Sequence, residues 1–242
     1  LTLGRGKINT LGTINVTSWT KSAERKAELS TMSFNIRSQY LDDEADGAHT
    51  LWKNRREPLC NMLMDLSPDI IGMQEVMNSS GYPQLSDVNS KVSSVYSHHV
   101  FEPSGLLETG GETLKPSMTN VLMWKTSMFD MVEKGLQFFT GDGSYGEVPS
   151  SEAWGYCTDN SRRSFQWVKL THKLSGKTVW VFNTHFPVNN TNHTNDNPTG
   201  DNSKAREVCM TKMVEKAYEL CGDEAVVYFT GDFNSAYSRA DA

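Results

Sequence analysis

The chain has 242 residues, 37% of them hydrophobic and 21% charged, enough to bury a substantial core in one large domain or two small ones. A net charge of −6 argues against a protein that holds nucleic acid mainly through a basic surface, but leaves room for an enzyme that handles phosphate through a few local cations and a metal ion. No apolar stretch approaches the roughly 18–20 residues that span a bilayer, and the opening LTLGRGKINT lacks the apolar run of a signal peptide.

Residues 1–28 are polar and patternless apart from a short candidate strand, INVTSW, and read as an extension or linker before a domain over residues 29–242. LSTMSFNIR (29–37) alternates like a strand and breaks into the acidic loop 42–47. In WKNRREPLCNMLMDL (52–66), Trp52, Leu59, Leu63 and Leu66 share one helical face, and Pro68 closes that helix. Arg55 and Arg56 lie within it and read as capping or salt-bridging residues. Residues 69–76 then form a buried strand ending at Gln74-Glu75.

The middle of the chain is less regular, with candidate strands at 94–102, 120–126 and 131–139 among Gly- and Ser-rich loops. SFQWVKLTHK and TVWVFNTHF are clear strands joined by a hairpin turn at Leu174-Ser175-Gly176-Lys177. After the polar loop 187–202, residues 204–220 form a helix and residues 226–232 a closing strand that ends at Asp232. SFNIR and VFNTH are thus both strand ends carrying Phe-Asn, each followed by a loop, a helix and a buried strand ending in an acid. Strand–helix–strand units make parallel neighbours, and ligands collect beyond the carboxyl ends of such strands. The expected architecture is α/β: two packed β-sheets with helices outside and a cleft where the two units meet.

The cysteines, Cys60, Cys157, Cys209 and Cys221, show neither a CxxC pair nor zinc-like spacing. Cys209 and Cys221 fall on one predicted helix, about 18 Å apart, too far to bridge. Sequons at Asn15, Asn78, Asn189 and Asn192 point toward a secreted, extracellular glycoprotein, although a chain this rich in Asn, Ser and Thr carries several such tripeptides by chance.

Chemistry-bearing residues gather at the strand ends. Asp232 and Asn234, two apart, project the same way; a carboxylate can orient or deprotonate a water while an amide N–H donates to a phosphoryl oxygen. Gly-Asp and Asn-Ser are also ordinary turn formers. Glu75 reads as a ligand for a hard cation such as Mg²⁺, or as a solvated strand end. His185 is suited to donating to a phosphate oxygen or protonating a leaving group, or sits as a hydrogen-bonded rim histidine. Asn35 reads as an orienter of a metal or carboxylate, and Arg162-Arg163 as phosphate-facing charge or a surface pair. His49, His98, His99, His172 and His193 have no patterned partner.

In order, MSFNIR, PDIIGMQEV, the Arg-x-x-x-Trp of RSFQW, NTHF and TGDFN resemble the endonuclease/exonuclease/phosphatase (DNase I-like) superfamily over about residues 29–236. That group includes DNase I-like nucleases, abasic-site endonucleases, neutral sphingomyelinases, inositol polyphosphate 5-phosphatases and poly(A)-specific nucleases. The resemblance implies a four-layer α/β sandwich of two mixed sheets. It implies metal positions at Asn35 and Glu75, with Glu75 the principal Mg²⁺ ligand (Mn²⁺ or Ca²⁺ as substitutes). It implies that Arg163 faces the phosphate, that His185 contacts the scissile phosphate, and that Asp232 and Asn234 position the attacking water and the phosphate.

The family's pattern continues past GDFN with further strands, a supporting aspartate and a late Ser-Asp-His, none of which follows here. The sandwich is therefore expected to be incomplete at the C-terminus, with a missing segment or another chain completing the sheet. The function expected is a metal-dependent phosphoesterase that hydrolyses a phosphodiester or phosphomonoester by direct water attack. The alternative is a non-catalytic relative serving as a binding or structural module in a larger extracellular assembly. Lipid head group, inositol phosphate, nucleotide and DNA all stay open as substrates.

Overall fold

The two strand–helix–strand units at either end of the sequence, with the antiparallel strands between them, fold as two facing four-stranded sheets. A computed structural model of the protein describes residues 28–78, 81–100, 118–139, 163–189, 202–222 and 225–235. INVTSW, Arg162, Cys157 and the sequons at Asn15 and Asn192 lie outside the described residues.

The first sheet holds β1 (Thr31–Asn35), β2 (Ile70–Met77), β3 (Tyr96–Val100) and β4 (Met118–Lys125) in the order β1-β2-β4-β3. The second holds β5 (Phe129–Phe138), β6 (Ser164–His172), β7 (Thr178–His185) and β8 (Val226–Asp232), side by side in chain order. β1 runs parallel to β2, and β7 parallel to β8, while the remaining pairs are antiparallel. Parallel neighbours need a crossover. The helix α1 (Trp52–Leu66) supplies the first and a second long helix, Ser203–Cys221, the other. The predicted β6–β7 hairpin closes at Gly176, whose φ of 66° suits a residue without Cβ.

Three layers of apolar side chains stack through the fold. Trp52, Leu59, Cys60 and Leu63 of α1 pack on the outer face of the first sheet against Ile71, Met73, Val121 and Met123. Leu66 shares the angle of that stripe but, as the last residue of the helix, stands 62% exposed, contrary to expectation. Between the sheets lie Ile70, Leu122, Trp124, Val168, Leu170 and Val181. On the far side, the Ser203–Cys221 helix buries Ala205, Cys209, Met213 and Ala217 against Trp167, Trp180 and Phe182. The result is helix, sheet, sheet, helix: a four-layer α/β sandwich.

Other local expectations change. A helix absent from the sequence reading, α2 (Gln84–Val92), packs Leu85, Val88 and Val92 beside α1. The Ser203–Cys221 helix is therefore α3. The acidic loop is wound into short 3-10 turns at Gln39–Leu41, Glu44–Asp46 and Ala48–Thr50, with the Asp43 side chain capping the second. Arg55 is not a simple capping or ion-pairing residue. Its guanidinium donates to the carbonyls of Ile36 and Arg37 as well as to Asp42, tying α1 to the segment that leaves β1. Arg56 does form an exposed pair with Asp87.

Candidate active site

Period-two alternation decides which side chains enter the space between the sheets. On β7, Val179 and Val181 face the inter-sheet core, so Asn183 and His185 face the same way; on β8, Val226 and Tyr228 point inward, carrying Thr230 and Asp232 with them. On β1, Met32 and Phe34 pack toward the helices, which leaves Ser33 and Asn35 facing the opposite sheet. β2 needs a correction to its alternation. A bulge between Met73 and Val76, with Glu75 at a φ of 61°, re-aims the glutamate at the strand's end.

The sheets come into close contact beside these residues. A Cβ on Gly72 would stand 2.1 Å from Thr230 Oγ1, so only glycine fits. Ser33 Oγ donates to the Gly231 carbonyl at 3.1 Å and accepts from its N–H at 2.8 Å, joining β1 to β8 across the gap. Buried polar side chains fill the floor. Asn183 donates from Nδ2 to the carbonyls of Met73 and Val121, at 2.9 and 3.0 Å.

Above that floor the predicted residues converge. Asn35 Nδ2 donates to Glu75 Oε1 and to Asp232 Oδ2, each at 2.9 Å. Its Oδ1 accepts the Arg37 N–H, which fixes the amide with nitrogen toward the carboxylates. Glu75 Oε2 takes the Ser38 N–H at 2.9 Å. His185 Nε2 stands 4.0 Å from Glu75 Oε1 and 3.8 Å from Asp232 Oδ2, so a protonated imidazole would be drawn to both. Asn234, at a φ of 48°, gives its backbone N–H to Asp232 Oδ1 and its Nδ2 to the Phe186 carbonyl. Asn35, Asp232 and Asn234 open onto a cleft of about 560 Å³ that Ser33, Gln74 and Ser235 also line.

Arg163 lies beside the histidine: its Nη1 reaches the His185 carbonyl at 3.5 Å. The sequence reading did not find the Ser38 N–H on Glu75, nor the Asn183 bridge. The first is a backbone group with no side-chain signal, and the second depends on the opposite sheet.

The site's donors are oxygens. Glu75 and Asp232 turn carboxylates to one point, and among the described residues no group of three or more His, Cys, Asp or Glu side chains is arranged to hold a metal. A hard cation that keeps several waters needs only one or two carboxylates, and this set fits it.

Neither a family model nor a curated protein sequence matches the chain. Solved structures do. An endonuclease/exonuclease/phosphatase from Bacteroides vulgatus is 24% identical, over 87% of this chain and 67% of its own, with a TM-score of 0.61. A mannosyl-6-phosphatase from Bacteroides thetaiotaomicron is 20% identical, over 88% and 68%, with a TM-score of 0.63. The human Nocturnin catalytic domain, with bound sulfate, is 18% identical, over 86% and 64%, with a TM-score of 0.57. The chain thus spans about two thirds of the length of these proteins. Its two four-stranded sheets, parallel end units and outer helices are those of the endonuclease/exonuclease/phosphatase fold.

Proposed function

We propose that the protein is a metal-dependent phosphoric ester hydrolase that works by direct attack of water on phosphorus. The observation that carries this reading is the convergence of Glu75 and Asp232 on the Asn35 amide, with His185 within 4.0 Å of both carboxylates. The phosphatase named among the structural neighbours acts on a phosphate ester, and a zebrafish TDP2 of the same fold is seen with a single-stranded DNA product.

Glu75, the metal position that the resemblance implies, would hold Mg²⁺, or Mn²⁺ or Ca²⁺ in its place. Asn35, implied beside it, orients the Glu75 and Asp232 carboxylates through its Nδ2. When bound, the cation supplies charge stabilisation at the phosphoryl and leaving-group oxygens. Asp232 orients a water and accepts its proton, its own position fixed by the Asn35 amide and the Asn234 N–H. Asn234 has a second amide hydrogen beyond the one given to Phe186, and directs it to a non-bridging phosphate oxygen. His185, beside Asp232 on the neighbouring strand, donates to the phosphate.

Asp232→Ala tests the proposal against bis(4-nitrophenyl) phosphate and 4-nitrophenyl phosphate in Mg²⁺. Loss of a positioned general base is expected to cost about a thousandfold in rate, with the far-ultraviolet circular dichroism unchanged. A variant within tenfold of the parent would remove the assignment and favour a non-catalytic binding role.

A further inference from the structure

The Glu75 carboxylate is gripped on two sides, by Asn35 Nδ2 on Oε1 and by the Ser38 N–H on Oε2. That second donor lies in the segment leaving β1, where Arg37 takes a φ of 57°. Such a segment holds its shape only if something outside it does the holding.

Gln84, the first residue of α2, is fully buried and does not line the cleft. Its Nε2 donates to the Arg37 carbonyl at 3.0 Å, while its Oε1 accepts the N–H groups of Gln39, at 3.0 Å, and of Met77, at 3.2 Å. Arg37 and Gln39 flank Ser38 in the chain, and Met77 follows Glu75 by two residues. One side-chain amide therefore clamps the two backbone segments that carry the Ser38–Glu75 hydrogen bond. Arg55 reinforces one of them from α1, at the same Arg37 carbonyl.

We propose that Gln84 is a positioning residue that sets the Glu75 carboxylate through the Ser38 N–H; its effect on cation affinity rests on the function proposed above. Groups that hold a ligand in this indirect way typically change metal affinity about 10–100-fold when removed. Gln84→Met keeps the volume and removes all three hydrogen bonds. Gln84→Glu keeps the acceptor for Gln39 and Met77 but turns an oxygen toward the Arg37 carbonyl, and serves as the second variant should Gln84→Met not fold. Val88→Ala is the control, a cavity one turn further along the same helix that removes none of the three hydrogen bonds.

The readouts are amide-resolved hydrogen exchange at Ser38 and titration with Mg²⁺ alone. In Gln84→Met, Ser38 exchange is expected to quicken at least tenfold and Mg²⁺ affinity to fall about 10–100-fold, with both unchanged in Val88→Ala. Parent-like Ser38 exchange in the Gln84 variants overturns the proposal, as does an equal loss in Val88→Ala. Glu75→Gln separates the two ideas. If it binds Mg²⁺ as the parent does, the cation reading fails and Ser38 exchange alone decides the role of Gln84.

Discussion

Gln74 Nε2 donates to Asn183 Oδ1 at 2.7 Å, joining the two sheets through a pair of fully buried amides. Thr230 Oγ1 donates to the Phe182 carbonyl at 2.9 Å and lies 3.2 Å from the same Asn183 oxygen, and both hydrogens of Asn183 Nδ2 go to carbonyls of the opposite sheet. Three of the four hydrogen-bonding sites of the Asn183 amide are thus filled, and the Thr230 hydroxyl stands beside the fourth. Asn183→Ala takes one acceptor from the Gln74 amide, which keeps the Gly72 carbonyl, and removes a donor from two buried carbonyls. It is expected to lower stability by about 3 kcal/mol or more, measured by urea unfolding. A loss under about 0.5 kcal/mol, the range of neutral surface changes, would show that the bridge contributes little.

Asn35→Asp exchanges a donor for an acceptor between two carboxylates. The oxygen that replaces Nδ2 would lie about 3 Å from Glu75 Oε1 and Asp232 Oδ2, like charge against like charge. Without a divalent cation, the melting temperature is expected to fall. Added Mg²⁺ should restore more stability to the variant than to the parent, because a ligand stabilises the state that binds it. Equal Mg²⁺ shifts in the two proteins would count against a cation between these carboxylates.

Acid should act on stability in two separate windows. Burial, reinforced by the charges of Lys134 and His98, pushes the His99 imidazole down to about 4. The unfolded chain takes up that proton near pH 6.5, so stability is complete above this and declines as pH falls from about 6.5 to about 4, by about 1.4 kcal/mol per pH unit of separation. Asp69 acts lower. Burial is the largest single influence and raises its carboxyl, but Lys125 at 2.8 Å and the Ser30 N–H and hydroxyl together outweigh it and leave it below the ordinary value. Its contribution is lost only as pH drops below about 4. His99→Leu should make the melting-temperature curve shallower in the upper window, where His98, its imidazole also lowered by burial, still contributes, and should leave the lower window unchanged.

Two glycines separate crowding from backbone strain. Gly72→Ala drives a methyl into Thr230 and Asn183, at 2.1 and 2.9 Å, and is expected to cost about 1–3 kcal/mol through forced movement of packed groups. Gly176→Ala meets no atom within 4 Å, and its φ of 66° alone is at issue, so about 1 kcal/mol is expected. Chemical denaturation of both variants checks the order. A larger loss at Gly176 would mean that the sheets yield at Gly72.

The parts legible in the sequence were those written in side-chain periodicity. α1 over residues 52–66 and the two parallel units were readable because their apolar residues repeat at helical or strand spacing. So were the strand ends bearing Asn35, Glu75, His185 and Asp232. α2 escaped because only Leu85, Val88 and Val92 break an otherwise polar nine-residue stretch. The left-handed backbone at Glu75 and Asn234 left no trace, since neither is a glycine. The shared Phe-Asn pattern concealed a difference of position. Asn35 is the last residue of its strand and reaches the cleft, whereas β7 runs two residues past Asn183 and buries it. Gln84 and Arg55 do their work on backbone groups of another segment, which only the folded chain brings near.

Ser33 meets Gly231 across 198 positions, and Asn35 meets Asp232 across 197. A ribosome adds about 5–20 residues each second, so the first partner waits on the order of 10–40 s for the second to be made. The first sheet, with Glu75 in place, needs nothing beyond Lys125 of β4. The Glu75 side of the cleft can therefore form on the nascent chain before β8, which brings Asp232, has been made. A translation product that stops before β8 would carry Glu75 without Asp232.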